Sequence, residues 1–277
     1  MSSIIRSISS LAFRGHKSDD KTKLEQSDSV PVVQEPRFCQ PGKLDFTKFG
    51  LTEYSSCFAL VLDDLFTRTE LRSFLAAAEA SSPWQVAQVN AGSYAITDTS
   101  YRNSDRIIFD SEEVSAAIFD RIRPHLGELE TIEWENWDRR GKEVKKLKMV
   151  KMNERLRFLR YQPGGFFRRH VDGCYITPSR LQRTFYTVQL YLPNSANDAD
   201  PSDFEKSFEP AKGGSTRFVS SSSVRKDNWV DVEAKPGRVL VFQHDKLMHT
   251  GEEVVGGVKV SVRSDILFED EAGGRLG

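Results

Sequence analysis

The chain has 277 residues, 38% hydrophobic and 29% charged, with 39 Lys+Arg against 40 Asp+Glu and a formal charge of −1. That is the composition of a globular protein of one large domain or two small ones, and the charge balance argues against a bulk nucleic-acid or membrane-surface binder. No apolar run approaches the roughly 20 residues of a membrane span, and three cysteines (Cys39, Cys57 and Cys174) without CxxC spacing suit a reducing compartment rather than a disulfide scaffold or zinc site.

Residues 1–36 read as a disordered tail rich in Ser, Lys, Asp and Gln. Arg6, Arg14 and Lys17 precede the first acid, Asp19, which mildly resembles a mitochondrial transit peptide. A disordered leader on a cytoplasmic protein is the favoured reading. The folded part is expected over 37–270, with helical support to about 130, a jelly roll over about 131–270, and a fraying tail at 271–277. Phe58 to Leu62 reads as a buried strand. Thr67-x-x-Glu70 is a capping-box pattern ahead of Leu71, Phe74, Leu75 and Ala78 on one helical face, closed by Pro83. A second helix follows Asp110, with Val114, Ile118 and Ile122 on one stripe and Pro124 at its end.

Beyond residue 130 short alternating segments predict strands at 144–151, 155–161, 166–171, 184–192, 215–219, 229–233, 238–243 and 258–268. The fold class is therefore mainly β with N-terminal helices, a jelly roll. Asn194 to Glu209 reads as a polar surface loop.

Among five histidines, His170 stands two residues before Asp172 at the end of one predicted strand, so both side chains can point to one side. His249 follows the apolar strand that ends near Phe242. Two imidazoles and one carboxylate on one face leave metal positions open and suit Fe(II). An HxD pair alone is as easily a surface strand. A basic residue at suitable spacing strengthens the metal reading. Lys259, Ser261 and Arg263 share one face of the strand after His249. A buried cation there requires an anionic partner, which the distal carboxylate of a dicarboxylic oxoacid would supply.

The segment Arg160-Tyr161-Gln162-Pro163-Gly164-Gly165-Phe166-Phe167-Arg168-Arg169-His170-Val171-Asp172 resembles the proximal motif of the prolyl 4-hydroxylase-like Fe(II)/2-oxoglutarate dioxygenases. Thr187 to Leu192, Gly213-Gly214-Ser215-Thr216-Arg217-Phe218 and Lys235 to Phe242 are similar to the strands that follow in that family. His249-Thr250-Gly251-Glu252-Glu253-Val254-Val255-Gly256-Gly257-Val258-Lys259 is similar to its distal motif. The resemblance, over about residues 153–268, implies a double-stranded β-helix with Fe(II) on His170, Asp172 and His249. It implies 2-oxoglutarate held by Lys259, with Tyr161 and Tyr191 beside it and Arg263 as the alternative anchor. O2 is the oxidant and ascorbate the expected reductant. Phe167 stands where the family usually has Tyr, and the last strand lacks the usual Trp-rich ending. Both departures bear on the substrate, for which Phe167 and Arg102 are candidate contacts.

The expected activity is oxidation, most often hydroxylation, of an unactivated C–H in a small-molecule or amino-acid substrate, with release of succinate and CO2. A protein prolyl hydroxylase, a non-catalytic metal-binding jelly roll and a zinc hydrolase are the alternatives. The expected substrate cavity is closed and partly apolar. His244 reads as structural or exposed, His125 as exposed, Cys174 as buried packing and Arg106 as a structural ion-pair residue. The seven basic residues of 139–151 read as the solvated face of an irregular hairpin. The run lacks the interleaved aromatics of a single-strand binder. Oligomeric state has no sequence signal.

Overall fold

The computed structural model describes residues 37–90, 95–138, 141–196, 201–222 and 227–276. The expected leader 1–36, Arg139, Arg140 and part of the 194–209 loop lie outside them. Helix α1, Arg68–Ser81, starts where the capping box predicts. Thr67 Oγ1 accepts from the Glu70 amide at 3.2 Å, and Glu70 Oε2 accepts from the Thr67 amide at 2.8 Å. Helix α2, Glu112–Ile122, takes its cap from Ser111, whose Oγ accepts from the Val114 amide at 3.2 Å. Asp110 instead bridges to Arg155. The apolar faces of both helices enter one buried cluster with Leu156, Phe158, Val188 and Val262 from the strands. Each fully buried side chain of this size contributes roughly 2 kcal/mol.

The strands are β1 (Ala59–Leu62), β2 (Arg102–Asn103), β3 (Asp105–Asp110), β4 (Thr131–Asp138), β5 (Gly141–Met152), β6 (Arg155–Tyr161), β7 (Phe166–His170), β8 (Gln182–Leu192), β9 (Thr216–Val219), β10 (Trp229–Val232), β11 (Val239–Gln243), β12 (His249–Gly251) and β13 (Lys259–Asp270). Two main antiparallel sheets result, the larger edged by the two-residue strands Gly42–Lys43 and Gln85–Val86, beside two small ribbons that pair Val89–Asn90 with Ala95–Ile96 and Lys212–Gly213 with Val254–Gly256. The larger runs β1, β11, β8, β13, β6, β3, with β5 also pairing β13 and β4 pairing β5; the smaller runs β10, β9, β12, β7, β2. This is the double-stranded β-helix expected. Strand β13 lies centrally, pairing through its first half with β6 and through its second with β5. It is accordingly buried along nearly its whole length.

Several expectations change. Two strands were not anticipated: β3, between α1 and α2, and β4, between α2 and the jelly roll. Pro201–Ser207 within the polar loop forms a short helix. The 139–151 hairpin is regular, pairing Thr131–Asp138 with Lys148–Gly141 residue by residue. The C-terminal residues 271–276 do not fray: the Leu276 amide donates to the Arg180 carbonyl at 2.7 Å, and its side chain is fully buried in the main core. Cys174 is exposed, while Cys39 and Cys57 are buried. Among the described residues no helix is long and apolar enough to cross a membrane.

Candidate active site

The two histidines are cross-strand partners. His170 at the end of β7 pairs with His249 at the start of β12, and their ring centroids lie 4.2 Å apart. Asp172 follows β7, fixed by its amide donating to the His244 carbonyl at 3.0 Å. One ligand atom from each of His170, Asp172 and His249 falls within 4.8 Å of the others. The His170 Nε2 lies 3.7 Å and the His249 Nε2 3.8 Å from the Asp172 carboxylate oxygens.

Both imidazoles are oriented from behind. His170 Nδ1 meets the Arg168 carbonyl at 2.7 Å and His249 Nδ1 the Leu247 carbonyl at 2.9 Å. With Nδ1–H donating to those carbonyls, each Nε2 presents its lone pair to the shared space. Burial, and then the neighbouring His249, push His170 down to about 3. Burial also lowers His249, so both rings are neutral ligands at physiological pH. Burial raises the Asp172 carboxyl, but Arg263, the two histidines and the Thr187 hydroxyl together outweigh it and hold the group well below the usual carboxylate range. Thr187 on β8 donates its hydroxyl to Asp172 Oδ2 at 2.8 Å. The donor set of two neutral imidazoles and one carboxylate fits Fe(II).

The wall beside this cluster comes from strand register. Tyr161 pairs with Lys259, Leu159 and Tyr191 with Ser261, and Arg157 and Gln189 with Arg263. Lys259 is buried, with its ammonium over the rings of Tyr161 and Tyr191 at 5.0 and 5.6 Å. Among the described residues no carboxylate reaches it, and burial pushes its pKa down to about 7. Ser261 Oγ and Arg263 Nε are buried without hydrogen-bond partners. An ammonium, a hydroxyl and a guanidinium N–H lacking acceptors along one strand face fit a bound dicarboxylate.

Arg263 is otherwise engaged. Its Nη1 lies 3.2 Å from Asp172 and its Nη2 3.3 Å from Asp265, which also meets Arg157 at 3.3 Å. Tyr191 does not line the cavity: its hydroxyl donates to Thr216 Oγ1 at 2.8 Å, so its ring backs Lys259 from behind. Gly213 and Gly214 hold left-handed φ of 75° and 71°. A Cβ on Gly213 would sit 2.3 Å from the Glu253 carbonyl, and one on Gly214 would press on Lys259 Cδ at 3.3 Å.

Phe167 stacks on the His170 ring at 3.6 Å, and the Arg102 guanidinium lies 4.6 Å over the other partner, the Phe167 ring. The outer cavity has a volume of about 340 Å³ and opens directly onto His170 and Asp172. Its lining is partly apolar, as expected, with Val89, Phe167 and Val171, but Arg102, Arg106, Arg157 and Arg263 also face it. Arg106 meets no carboxylate among the described residues and donates instead to Gln88 Oε1 at 2.9 Å. His244 is buried and does not join the cluster; His125 is exposed. Sequence reasoning missed Thr187, Arg157 and the orientation of Arg106. The signal for the last was an arginine beside Ile107 and Ile108 in what proves to be a strand.

Residues 156–264 match the sequence profile described as the 2OG-Fe(II) oxygenase superfamily. No curated protein matches the chain. Among solved structures, a Pseudomonas putida prolyl-4-hydroxylase is 16% identical, with 78% of this chain and 95% of that one covered and a TM-score of 0.47. A Trichoplax adhaerens prolyl hydroxylase, solved with a hypoxia inducible factor oxygen degradation domain peptide fragment, is 11% identical, covering 83% and 92% at TM-score 0.48. A Burkholderia pseudomallei oxidoreductase of the 2OG-Fe(II) oxygenase family is 10% identical, covering 88% and 98% at TM-score 0.47. The profile match runs through β6 to the middle of β13 and takes in the whole His-Asp-His cluster. Residues 156–264 thus match the 2OG-Fe(II) oxygenases, a class that uses Fe(II), 2-oxoglutarate and O2, and the matched segment contains the three candidate ligands.

Proposed function

We propose that the protein is a dioxygenase that hydroxylates an unactivated C–H of a small-molecule or amino-acid substrate, coupled to conversion of 2-oxoglutarate into succinate and CO2. The observation that carries this reading is the convergence of three neutral-imidazole and carboxylate ligand atoms within 4.8 Å beside a buried lysine with no carboxylate in ion-pair contact among the described residues. Bound iron would supply the redox chemistry of O2 activation. His170, Asp172 and His249 would hold that iron. The Arg168 and Leu247 carbonyls fix the imidazole tautomers, and Thr187 and Arg263 fix the carboxylate rotamer.

Lys259 receives the distal carboxylate of 2-oxoglutarate, with Tyr161 and Ser261 flanking it. Arg263 positions Asp172. The substrate enters through the outer cavity past Phe167 and Arg102. A cavity of about 340 Å³ is at the small end of ligand sites, which favours a small molecule over a protein chain. The test is release of succinate and CO2 from purified protein with Fe(II), 2-oxoglutarate, O2 and ascorbate. Turnover with Fe(II) that fails with Zn(II) and in His170→Ala supports the oxygenase over a hydrolase or an inert module. Iron-loaded protein giving no succinate, even without coupled substrate, contradicts it. Stimulation by a proline-containing peptide and by no small molecule would transfer the assignment to a protein prolyl hydroxylase.

A further inference from the structure

The inner and outer parts of the cavity carry more positive charge than the cosubstrate can use. Five cations line the inner part, namely Arg102, Arg106, Arg157, Lys259 and Arg263, against one lining carboxylate, Asp172. Asp265 behind the wall balances one more through its bridges to Arg157 and Arg263. A ferrous dication and a 2-oxoglutarate dianion cancel each other, so binding both leaves the excess in place. The excess is concentrated at the outer end. Arg102 and Arg106 are half-buried there, and neither reaches a carboxylate among the described residues.

Their geometry is set rather than splayed. Arg102 donates its Nε–H to Ser104 Oγ at 3.0 Å while its guanidinium carbon lies 4.6 Å from the Phe167 ring centroid, and no acceptor among the described residues takes its two terminal nitrogens. Arg106 projects from β3 opposite Leu159, which lines the same inner cavity, and is steadied by one bond to Gln88. Burial, followed by the like charge of Arg102, lowers the pKa of Arg106. Two guanidinium groups held side by side without an anion repel each other, and a bound carboxylate turns that repulsion into charge-assisted, fork-shaped hydrogen bonds. The acids nearest them in sequence are engaged elsewhere: Asp98 accepts from the Ser100 hydroxyl at 2.6 Å, and Asp105 bridges to Arg160 at 3.0 Å.

We infer that Arg102 and Arg106 form a carboxylate-binding subsite, and that the substrate is a small organic acid of about amino-acid size. This rests on the oxygenase reading above and narrows it. The stack from Arg102 through Phe167 to His170 joins the subsite directly to the metal ligands. The oxidised C–H therefore lies only a few bonds from the anchored carboxylate. It also gives Phe167 a purpose: an aromatic face without a hydroxyl offers the guanidinium an unobstructed surface.

The test uses the full chain loaded with Mn(II) in place of Fe(II) and saturated with 2-oxoglutarate, which fills the Lys259 site. Thermal shift and equilibrium dialysis are run with free amino acids and short hydroxy- and keto-acids, each beside its primary amide. The expected result is that at least one acid binds and its amide binds roughly 100-fold more weakly. For that acid, Arg102→Ala and Arg106→Ala each raise Kd by roughly 30- to 100-fold, and Arg106→Lys recovers part of the loss. A retained melting shift with 2-oxoglutarate shows that the variants are folded. Equal binding of acid and amide, no binding by any acid, or binding only of a blocked acidic peptide overturns the inference. If 2-oxoglutarate itself fails to shift the wild-type protein, the oxygenase reading fails, and this inference with it.

Discussion

Two cationic regions of this protein differ in what their charges face. On the outer hairpin of β4 and β5 the lysines are dense in sequence, and the structure gives them acids. Lys142 meets Glu135 at 2.6 Å, Lys145 meets Asp270 at 2.7 Å and Lys151 meets Glu154 at 3.2 Å. Lys146 and Lys148 point to solvent. In the cavity the cations are scattered through the sequence and come together only through sheet register. Lys259 there is buried with no acid in ion-pair contact among the described residues, Glu252 acting on it only at longer range, and Arg102 and Arg106 are half-buried with none. Charge density along the chain thus marks a solvated surface, whereas burial without a partner marks a binding site.

The largest expected effect comes from taking an anion out of the cavity. Asp172→Asn should weaken iron binding by at least about 100-fold, since even outer partners of metal ligands are worth 10- to 100-fold. Metal analysis after dialysis against limiting iron checks it. Iron retained at the wild-type level would show that the cluster is not the metal site.

The pH dependence of 2-oxoglutarate binding follows from Lys259. Its folded pKa, about 7, lies below the ordinary 10.5. Below about pH 7 the free protein already carries the charge that the cosubstrate needs. Above it, binding must take up a proton, so Kd should rise by about tenfold per pH unit. Calorimetry in buffers of different ionisation heat measures that uptake. Lys259→Arg should abolish the slope, and an unchanged slope in that variant would place the titrating group elsewhere.

The same lysine sets a stability contrast. The unfolded chain keeps Lys259 protonated up to pH 10.5, while the folded chain releases the proton above about 7. Burying the charge therefore costs most below pH 7, and stability of the ligand-free protein should rise with pH between those values. Lys259→Met should remove that rise and stabilise the protein near pH 6 by roughly 2–4 kcal/mol, read from the urea midpoint. A destabilised variant would mean that the lysine has a partner in the folded state. The smallest effect belongs to the hairpin. Lys146→Gln together with Lys148→Gln should change stability by less than about 0.5 kcal/mol and leave 2-oxoglutarate affinity alone. A larger loss of affinity would give the hairpin a role in the site.

Much of this architecture was legible because period-two alternation survives in the jelly-roll strands. β6 was placed at 155–161 from sequence and found there, and β13 begins one residue later than expected. The His-Asp-His cluster was legible from motif spacing. β3 was not, because Ile107, Ile108 and Phe109 run together without alternation between charged ends. Its pairing partner, β6, lies some fifty residues downstream, so only the fold identifies it as a strand. Arg106 was therefore read as an ordinary ion-pair residue, and the arginines of the cavity were not anticipated. The C-terminus was misread for a similar reason: Leu276 is an isolated apolar residue among glycines, and nothing local announces that the core receives it.

The central claim is that the buried, unpaired cation is the cosubstrate anchor. Lys259 and Arg263 share a strand face but stand roughly 13 Å apart along it, too far for one to replace the other without movement. Lys259 has no acid in ion-pair contact among the described residues, with Glu252 acting only at longer range, whereas Arg263 is held by Asp172 and Asp265. Titrating 2-oxoglutarate into Mn(II)-loaded Lys259→Ala and Arg263→Ala decides between them. The account predicts roughly 100-fold weaker binding, about 3 kcal/mol, for Lys259→Ala and less than about tenfold for Arg263→Ala. A loss of that size confined to Arg263→Ala would contradict it.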